Sequence, residues 1–311
     1  MFKYHVFALL IGAILDFFVG KLPNIYNPLT AIKRWIKYLD RALLGNEIIL
    51  LEPEKQKSMG IWLLILAMLP AFVVVLFFDI FCWEIGIIVG IIFEIIMSYY
   101  CISFYQVYYG ALDVLDYYFD SGMDGANIAY STFVDCNSNH KDIYTLLDDT
   151  IFTVSKRAND YVIGPLLVLF LFGPVGGVLY RVIDLVDEQV GYHTKRYEYF
   201  GYYPSRTNSI LNYIPSRLSG RLAVITSGLI FGDYNSKNAR YIYRRDSYTD
   251  ANISGLKTPA AFAGALDISL NSGAVGDADK TVEFNDVRRA VSLMRNMFII
   301  CMLVLFILLI W

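Results

Sequence analysis

Charge is scarce in this chain: only 18% of its 311 residues are Asp, Glu, Lys or Arg, while 56% are hydrophobic. With a mean hydropathy of +0.47, that composition excludes an ordinary soluble domain of this length. Cysteine is limited to four residues and histidine to three. Cys82, Cys101 and Cys301 lie in or beside apolar runs and Cys136 stands alone, which excludes a disulfide framework and a zinc spacing. His5, His140 and His193 are too far apart in sequence to suggest a metal cluster. The net charge is -3 and the basic residues fall in clusters beside apolar runs, so no nucleic-acid groove is indicated. Gly20-Lys21 is not a phosphate loop, because Leu15 stands where the earlier glycine belongs and Leu22 replaces the Ser/Thr.

What the chain has instead is long apolar runs. Residues 60–78 carry no charge, and at about 1.5 Å per residue such a run nearly spans a hydrocarbon core of roughly 30 Å. Residues 85–102 form a second run interrupted only by Glu94, a carboxylate expected to face protein or water rather than lipid. Residues 6–19 and 297–311 are shorter spans. The first is read as a retained anchor, since no small-residue cleavage site follows and Asp16 interrupts it. Residues 161–182 are long enough to cross, but Gly164-Pro165, Gly173-Pro174 and Gly176-Gly177 predict a broken or re-entrant helix. Residues 222–231 are too short to span and are placed half-buried. The expected fold is therefore all-α, a polytopic integral membrane protein with roughly four to six membrane segments.

Lys21, Lys33, Arg34, Lys37, Arg41, Lys55 and Lys57 crowd the first connection, whereas residues 79–84 contain no basic side chain, which puts the first loop on the cytoplasmic side. Within it Ile32, Trp35, Ile36, Leu39 and Leu43 repeat at helical spacing opposite Lys33, Arg34, Lys37 and Arg41, predicting an amphipathic surface helix over 31–44. The expected organisation is one polytopic domain: three spans in 1–102, an acidic cytoplasmic loop at 103–160, a glycine-rich segment at 161–232, a cytoplasmic segment at 233–296 and a last span at 297–311.

Two groups of polar residues suggest chemistry. Asp184, Asp187 and Glu188 fall at i, i+3 and i+4, one face of a helix, and such a ridge suits Mg²⁺ or a substrate ammonium as well as a plain solvated face. Arg206 and Arg217 are close to three helical turns apart, so on one continuous helix they would point the same way. Paired arginines suit phosphate or carboxylate, and equally suit an interfacial position beside Tyr202, Tyr203 and Tyr213.

The run Tyr180-Arg181-Val182-Ile183-Asp184-Leu185-Val186-Asp187, then Val190-Gly191-Tyr192, Arg196-Tyr197-Glu198-Tyr199-Phe200-Gly201 and two Pro-Ser-Arg triplets at 204–206 and 215–217, resembles the signature of the CobD/CbiB family of cobalamin synthesis. Leu15-Asp16-Phe17-Phe18-Val19-Gly20, Ile32-Lys33-Arg34-Trp35-Ile36, Ala263-Gly264-Ala265-Leu266 and residues 287–295 extend the resemblance over most of the chain. It implies an adenosylcobinamide-phosphate synthase in the cell membrane. Such a protein joins a carboxylate of adenosylcobyric acid, a corrinoid, to the amine of aminopropanol phosphate or aminopropanol, with ATP and Mg²⁺ driving amide formation. The implied catalytic residues are Asp160, Asp184 and Asp187. The implied substrate contacts are Asp16, Tyr192, Arg206, Asn212, Arg217 and Asp246, with Asp184, Asp187 and Glu188 as the metal set. Homo-oligomerisation or a membrane complex is left open.

The polar positions depart from the family pattern. Gly-Arg-Asp-Thr falls at Asp135-Cys136-Asn137-Ser138, the Asn of Asn-Thr-Leu-Asp is Asp184, an aspartate pair is Asn208-Ser209, and a glutamate is Pro259. Two readings therefore stand: a divergent synthase, or a non-catalytic relative that binds a corrinoid or a membrane partner and regulates or scaffolds.

Overall fold

A computed structural model describes residues 2–20, 27–45, 52–191, 195–229, 233–247, 255–277 and 281–311. Twelve α-helices lie among them: α1 Phe2–Val19, α2 Pro28–Leu44, α3 Pro53–Ile85, α4 Ile87–Cys101, α5 Phe104–Val134, α6 Ile143–Arg157, α7 Gly164–Val190, α8 Tyr202–Leu211, α9 Tyr213–Leu229, α10 Ser236–Asp246, α11 Lys257–Leu266 and α12 Phe284–Ile310. A π-helical turn, Ala158–Ile163, joins α6 to α7, and β1 Ser269–Leu270 pairs antiparallel with β2 Val275–Gly276. Five helical stretches, Phe2–Val19, Pro53–Ile85, Ile87–Val134, Ile143–Val190 and Phe284–Ile310, are long and apolar enough to cross a membrane. The protein is a multi-pass, all-α membrane protein. Its residues cluster into two compact units, one formed by residues 1–102 with 165–212 and the other by 103–164 with 213–311.

In the first unit α1 packs on α4, α4 on α3, and α3 on α2 and α8. Close approach of α1 to α4 depends on Gly12, where a Cβ would meet Ser98 Cβ at 2.7 Å. The amphipathic helix begins earlier than its hydrophobic spacing indicates, because Asn27 Oδ1 accepts the Leu29 N–H and Pro28 opens the first turn. Leu29, Ile36, Leu39 and Leu44 are its buried residues. Gly86 separates α3 from α4.

Glu94 is buried, as its cost in lipid demands. His5 Nδ1 lies 2.8 Å from its Oε2, and Trp83 Nε1 donates to its Oε1 at 3.2 Å. The other ring nitrogen, His5 Nε2, donates to the Leu169 carbonyl at 2.9 Å. That carbonyl lies one turn before the break in α7. The break is at Gly173, with φ 66° and ψ -162°, a conformation closed to residues bearing a Cβ. Pro174 follows and supplies no N–H to the turn before it. The other expected break does not occur: Gly164 is helical at φ -61° and ψ -55°. There the π turn widens the helix, and Ser103 N–H donates to the Tyr161 carbonyl, which Pro165 leaves without a donor.

In the second unit the stretch expected as an acidic loop, 103–160, is mostly helix. The correction has a simple cause. Asp113, Asp116 and Asp120 recur at helical spacing and are all exposed, while Val107, Ala111, Val114 and Leu115 are buried, so these acids form one stripe of α5. Like α7, α5 is broken at a glycine, Gly122. The small-residue helix α11 is buried throughout and packs on α9, α10, α6 and α12. Asp148 accepts the N–H groups of Asn271 and Ser272, both at 2.9 Å, and so anchors the β1–β2 turn to α6. The last helix begins well before its apolar run, at a capping box between Glu283 and Asp286.

Candidate substrate-binding site

The signature residues form a polar network in the first unit, built on the C-terminal half of α7 and on α8. Asn208 Nδ2 donates to Asp187 Oδ2 at 2.8 Å, Asn212 Nδ2 to Asn208 Oδ1 at 2.9 Å, and Tyr180 Oη to Asn212 Oδ1 at 2.6 Å. Tyr180, Asn208 and Asn212 are buried. Their chain of bonds fixes Asp187 through one carboxylate oxygen and leaves the other, Oδ1, buried with no hydrogen-bond partner among the described residues. Two residues on, and so on another face of α7, both polar atoms of the Gln189 side chain are also buried without partners among the described residues. Unsatisfied buried polar atoms are rare in folded proteins, which makes Asp187 Oδ1 a candidate contact for a ligand.

The acidic ridge is divided by burial. Asp184 accepts from Arg181 Nη1 at 2.8 Å, an ion pair in which the two side chains are only 2% and 4% exposed. Asp187 is half-buried and Glu188 is exposed. Among the described residues no group of three His, Cys, Asp or Glu side chains is placed to hold a metal ion. The expected Asp184, Asp187 and Glu188 metal set is thus not assembled, because Arg181 turns Asp184 inward while Glu188 faces out.

The other expected residues are dispersed. Asp16 is fully buried on α1, and Arg206 is exposed on α8. Tyr192 lies outside the described residues. Arg206 and Arg217 do not share a helix: α8 ends at Leu211 and α9 starts at Tyr213.

In the second unit, Asp160 in the π turn accepts from Asn159 Nδ2 at 2.7 Å, and Ser219 Oγ donates to Asn159 Oδ1 at 3.0 Å and lies 2.6 Å from Thr258 Oγ1. Arg217 lies 3.4 Å from the Tyr213 ring centroid and donates to the Tyr213 carbonyl at 2.9 Å. Asp246 receives Arg245 Nε at 2.6 Å, Arg245 Nη2 at 2.9 Å and the Gly276 N–H at 2.8 Å. Burial alone would raise its pKa, but the guanidinium and the N–H outweigh burial and hold the carboxyl below the usual range.

Lys257 escapes sequence reasoning. It is fully buried, and its Nζ donates to the Ser247 carbonyl at 3.2 Å. Burial, helped by the charge of Arg217, pushes its pKa down to about 8. Asn208, noted in the sequence only as a departure from the resembled pattern, donates its amide to Asp187, where a second carboxylate would repel it.

The family model for CobD/Cbib protein matches residues 9–294. The chain belongs to the CobD/CbiB family of cobalamin biosynthesis. It is 27% identical to the cobalamin biosynthesis protein CobD of Clostridium perfringens over 90% of each chain. It is 34% identical to the protein of that name from Streptococcus sanguinis over 47% of this chain and 49% of the relative. With that of Leptospira interrogans it shares 25% identity over 84% of this chain and 80% of the relative. No solved structure matches. The family's step in corrinoid synthesis makes the α7–α8 network a candidate substrate-binding site in a biosynthetic enzyme.

Proposed function

We propose that this chain attaches aminopropanol or its phosphate, through an amide bond, to a carboxylate of adenosylcobyric acid. The observation that carries the reading is Asp187 Oδ1, a buried carboxylate oxygen without a donor, oriented by Asn208, Asn212 and Tyr180. A substrate ammonium supplies the missing donor. With a pKa near 10, like a lysine, that ammonium must lose a proton before it attacks, and Asp187 is placed to receive it. Exposed Arg206 suits a phosphate. Asp184, neutralised by Arg181, positions rather than reacts.

The resemblance also implies ATP with Mg²⁺, which would activate the carboxylate for attack. The acidic ridge does not fit the metal, since its three carboxylates do not converge. Asp160 belongs to the proposal as a further catalytic group, and Asp16, Arg217 and Asp246 as further substrate contacts.

The Arg181–Asp184 pairing and the amide at position 208 favour a second reading, a corrinoid-binding relative without catalysis. Turnover separates the two. Detergent-purified protein given adenosylcobyric acid, aminopropanol phosphate and Mg-ATP should yield the amide product by mass spectrometry. A folded sample that yields none, beside an active relative, overturns the synthase reading.

A further inference from the structure

An apolar groove of about 600 Å³ opens in the first unit, within the size range of pockets that hold small ligands. It has a regular construction. The third helix lines it over three turns from Ala67 to Phe78, the fourth over two turns from Phe93 to Tyr100, and Ile32 and Trp35 of α2 close one end. At about 1.5 Å per residue the α3 wall is roughly 16 Å long, the dimension of an extended hydrocarbon chain rather than of a compact solute. Apart from Tyr100 and the indole N–H of Trp35, which is committed to the Leu66 carbonyl, the lining side chains are apolar. Among the described residues the groove therefore gives a polar substrate little beyond the Tyr100 hydroxyl to bond.

The helix that closes the end is the amphipathic one. Arg34, Lys37 and Arg41 are exposed on the face of α2 opposite Ile32 and Trp35, and of the three Arg34 stands one turn from the groove residue Ala31. Its acidic residue, Asp40, is tied to Tyr197 Oη at 3.1 Å. An interfacial helix with cations on its solvent face and an apolar slot on the other matches the two parts of an anionic lipid: headgroup drawn to the arginines and lysine, tail in the slot. A transmembrane helix is a poorer occupant, because association in lipid has no hydrophobic drive and the slot offers it little beyond the Tyr100 hydroxyl to bond.

We infer that the α2–α3–α4 groove is a binding site for one acyl chain of an anionic phospholipid, with the basic face of α2 holding its headgroup. The test uses the full chain in detergent micelles with phosphatidylglycerol and phosphatidylcholine as probes, read by native mass spectrometry. One phosphatidylglycerol per chain should be retained, in at least tenfold preference to phosphatidylcholine. Ala71→Phe, which fills the slot, should cut retention at least tenfold, and Arg34→Gln with Lys37→Gln should erase the headgroup preference while the chain still binds. Phosphatidylglycerol carrying a photoreactive acyl chain, applied to the unaltered protein, should label peptides from α3 and α4 that line the slot, which makes the test independent of any variant's folding. Equal retention of both lipids by the unaltered protein overturns the inference. So does full retention by Ala71→Phe, labelling confined to other helices, or a protein dimer without lipid.

Discussion

Trp35 Nε1 donates at 3.0 Å to the Leu66 carbonyl, the acceptor that Pro70, four residues along α3, leaves without its helical donor. In the bilayer no water replaces a missing N–H, so a proline inside a spanning helix requires a donor from elsewhere. Trp35→Phe should therefore destabilise the protein by about 1–3 kcal/mol, the cost of an unsatisfied carbonyl. Pro70→Ala restores an N–H to the helix, and in that background Trp35→Phe should cost clearly less. Thermal unfolding in detergent of the four proteins forms the cycle; additive effects would show that the indole does not replace the lost helical bond.

His5 donates through Nε2 to an α7 carbonyl one turn before the break at Gly173, with a proton as part of the arrangement. Both of its ring nitrogens face acceptors, Glu94 Oε2 and the Leu169 carbonyl. Both bonds form if the imidazole is doubly protonated beside an ionised Glu94, or if a protonated Glu94 donates to a neutral ring. Glu94→Gln should be tolerated, since its amide can donate to Nδ1 and still accept from Trp83. His5→Phe should be worse, at about 1–3 kcal/mol for each of the two groups, Glu94 and the Leu169 carbonyl, that it leaves without a partner. Thermal unfolding that ranks Glu94→Gln as the more damaging change would contradict the proton count.

Much of this was legible in sequence and some was not, for a consistent reason. Proline and glycine act on their own backbone, so the break at Gly173, the apolar helices and the amphipathic α2 could be read locally. The donors that meet the carbonyls beside the prolines and the Gly173 break come from residues distant in sequence: Trp35 for Leu66, Ser103 for Tyr161, His5 for Leu169. Periodicity says nothing of such partners. The Asp184, Asp187 and Glu188 spacing was correct as geometry, yet spacing could not foresee that Arg181 would neutralise one member. Lys257 was invisible because a lone lysine in a short helix reads as a surface residue, whereas the packing of α11 buries it.

Asp187 is the residue on which the functional reading depends. Asp187→Ala should abolish amide formation without unfolding the protein. Asp187→Asn keeps the Asn208 contact in shape but removes the base, and it should lower turnover by about 10²–10⁴-fold, the range for a lost general base. Arg181→Met should instead lose stability, because it removes the guanidinium that pairs with the buried Asp184 carboxylate. Full activity in Asp187→Asn, measured as amide product by mass spectrometry, would remove this carboxylate from the chemistry.

Lys257 makes a pH prediction whose sign follows from burial. Its folded pKa is pushed down to about 8, whereas a lysine in the unfolded chain titrates near 10.4. Below about pH 8 both states carry the proton and the folded state bears the full cost of burying the ammonium. Between about pH 8 and 10.4 the folded state releases the proton while the unfolded state retains it, so stability rises with pH across that window. Lys257→Met removes the titrating group. Its unfolding temperature, minus that of the unaltered protein, should therefore be constant below about pH 8 and decline steadily from there to about pH 10 as the unaltered protein recovers. A difference that stays flat across the whole range would mean that Lys257 keeps an ordinary lysine pKa in the folded protein.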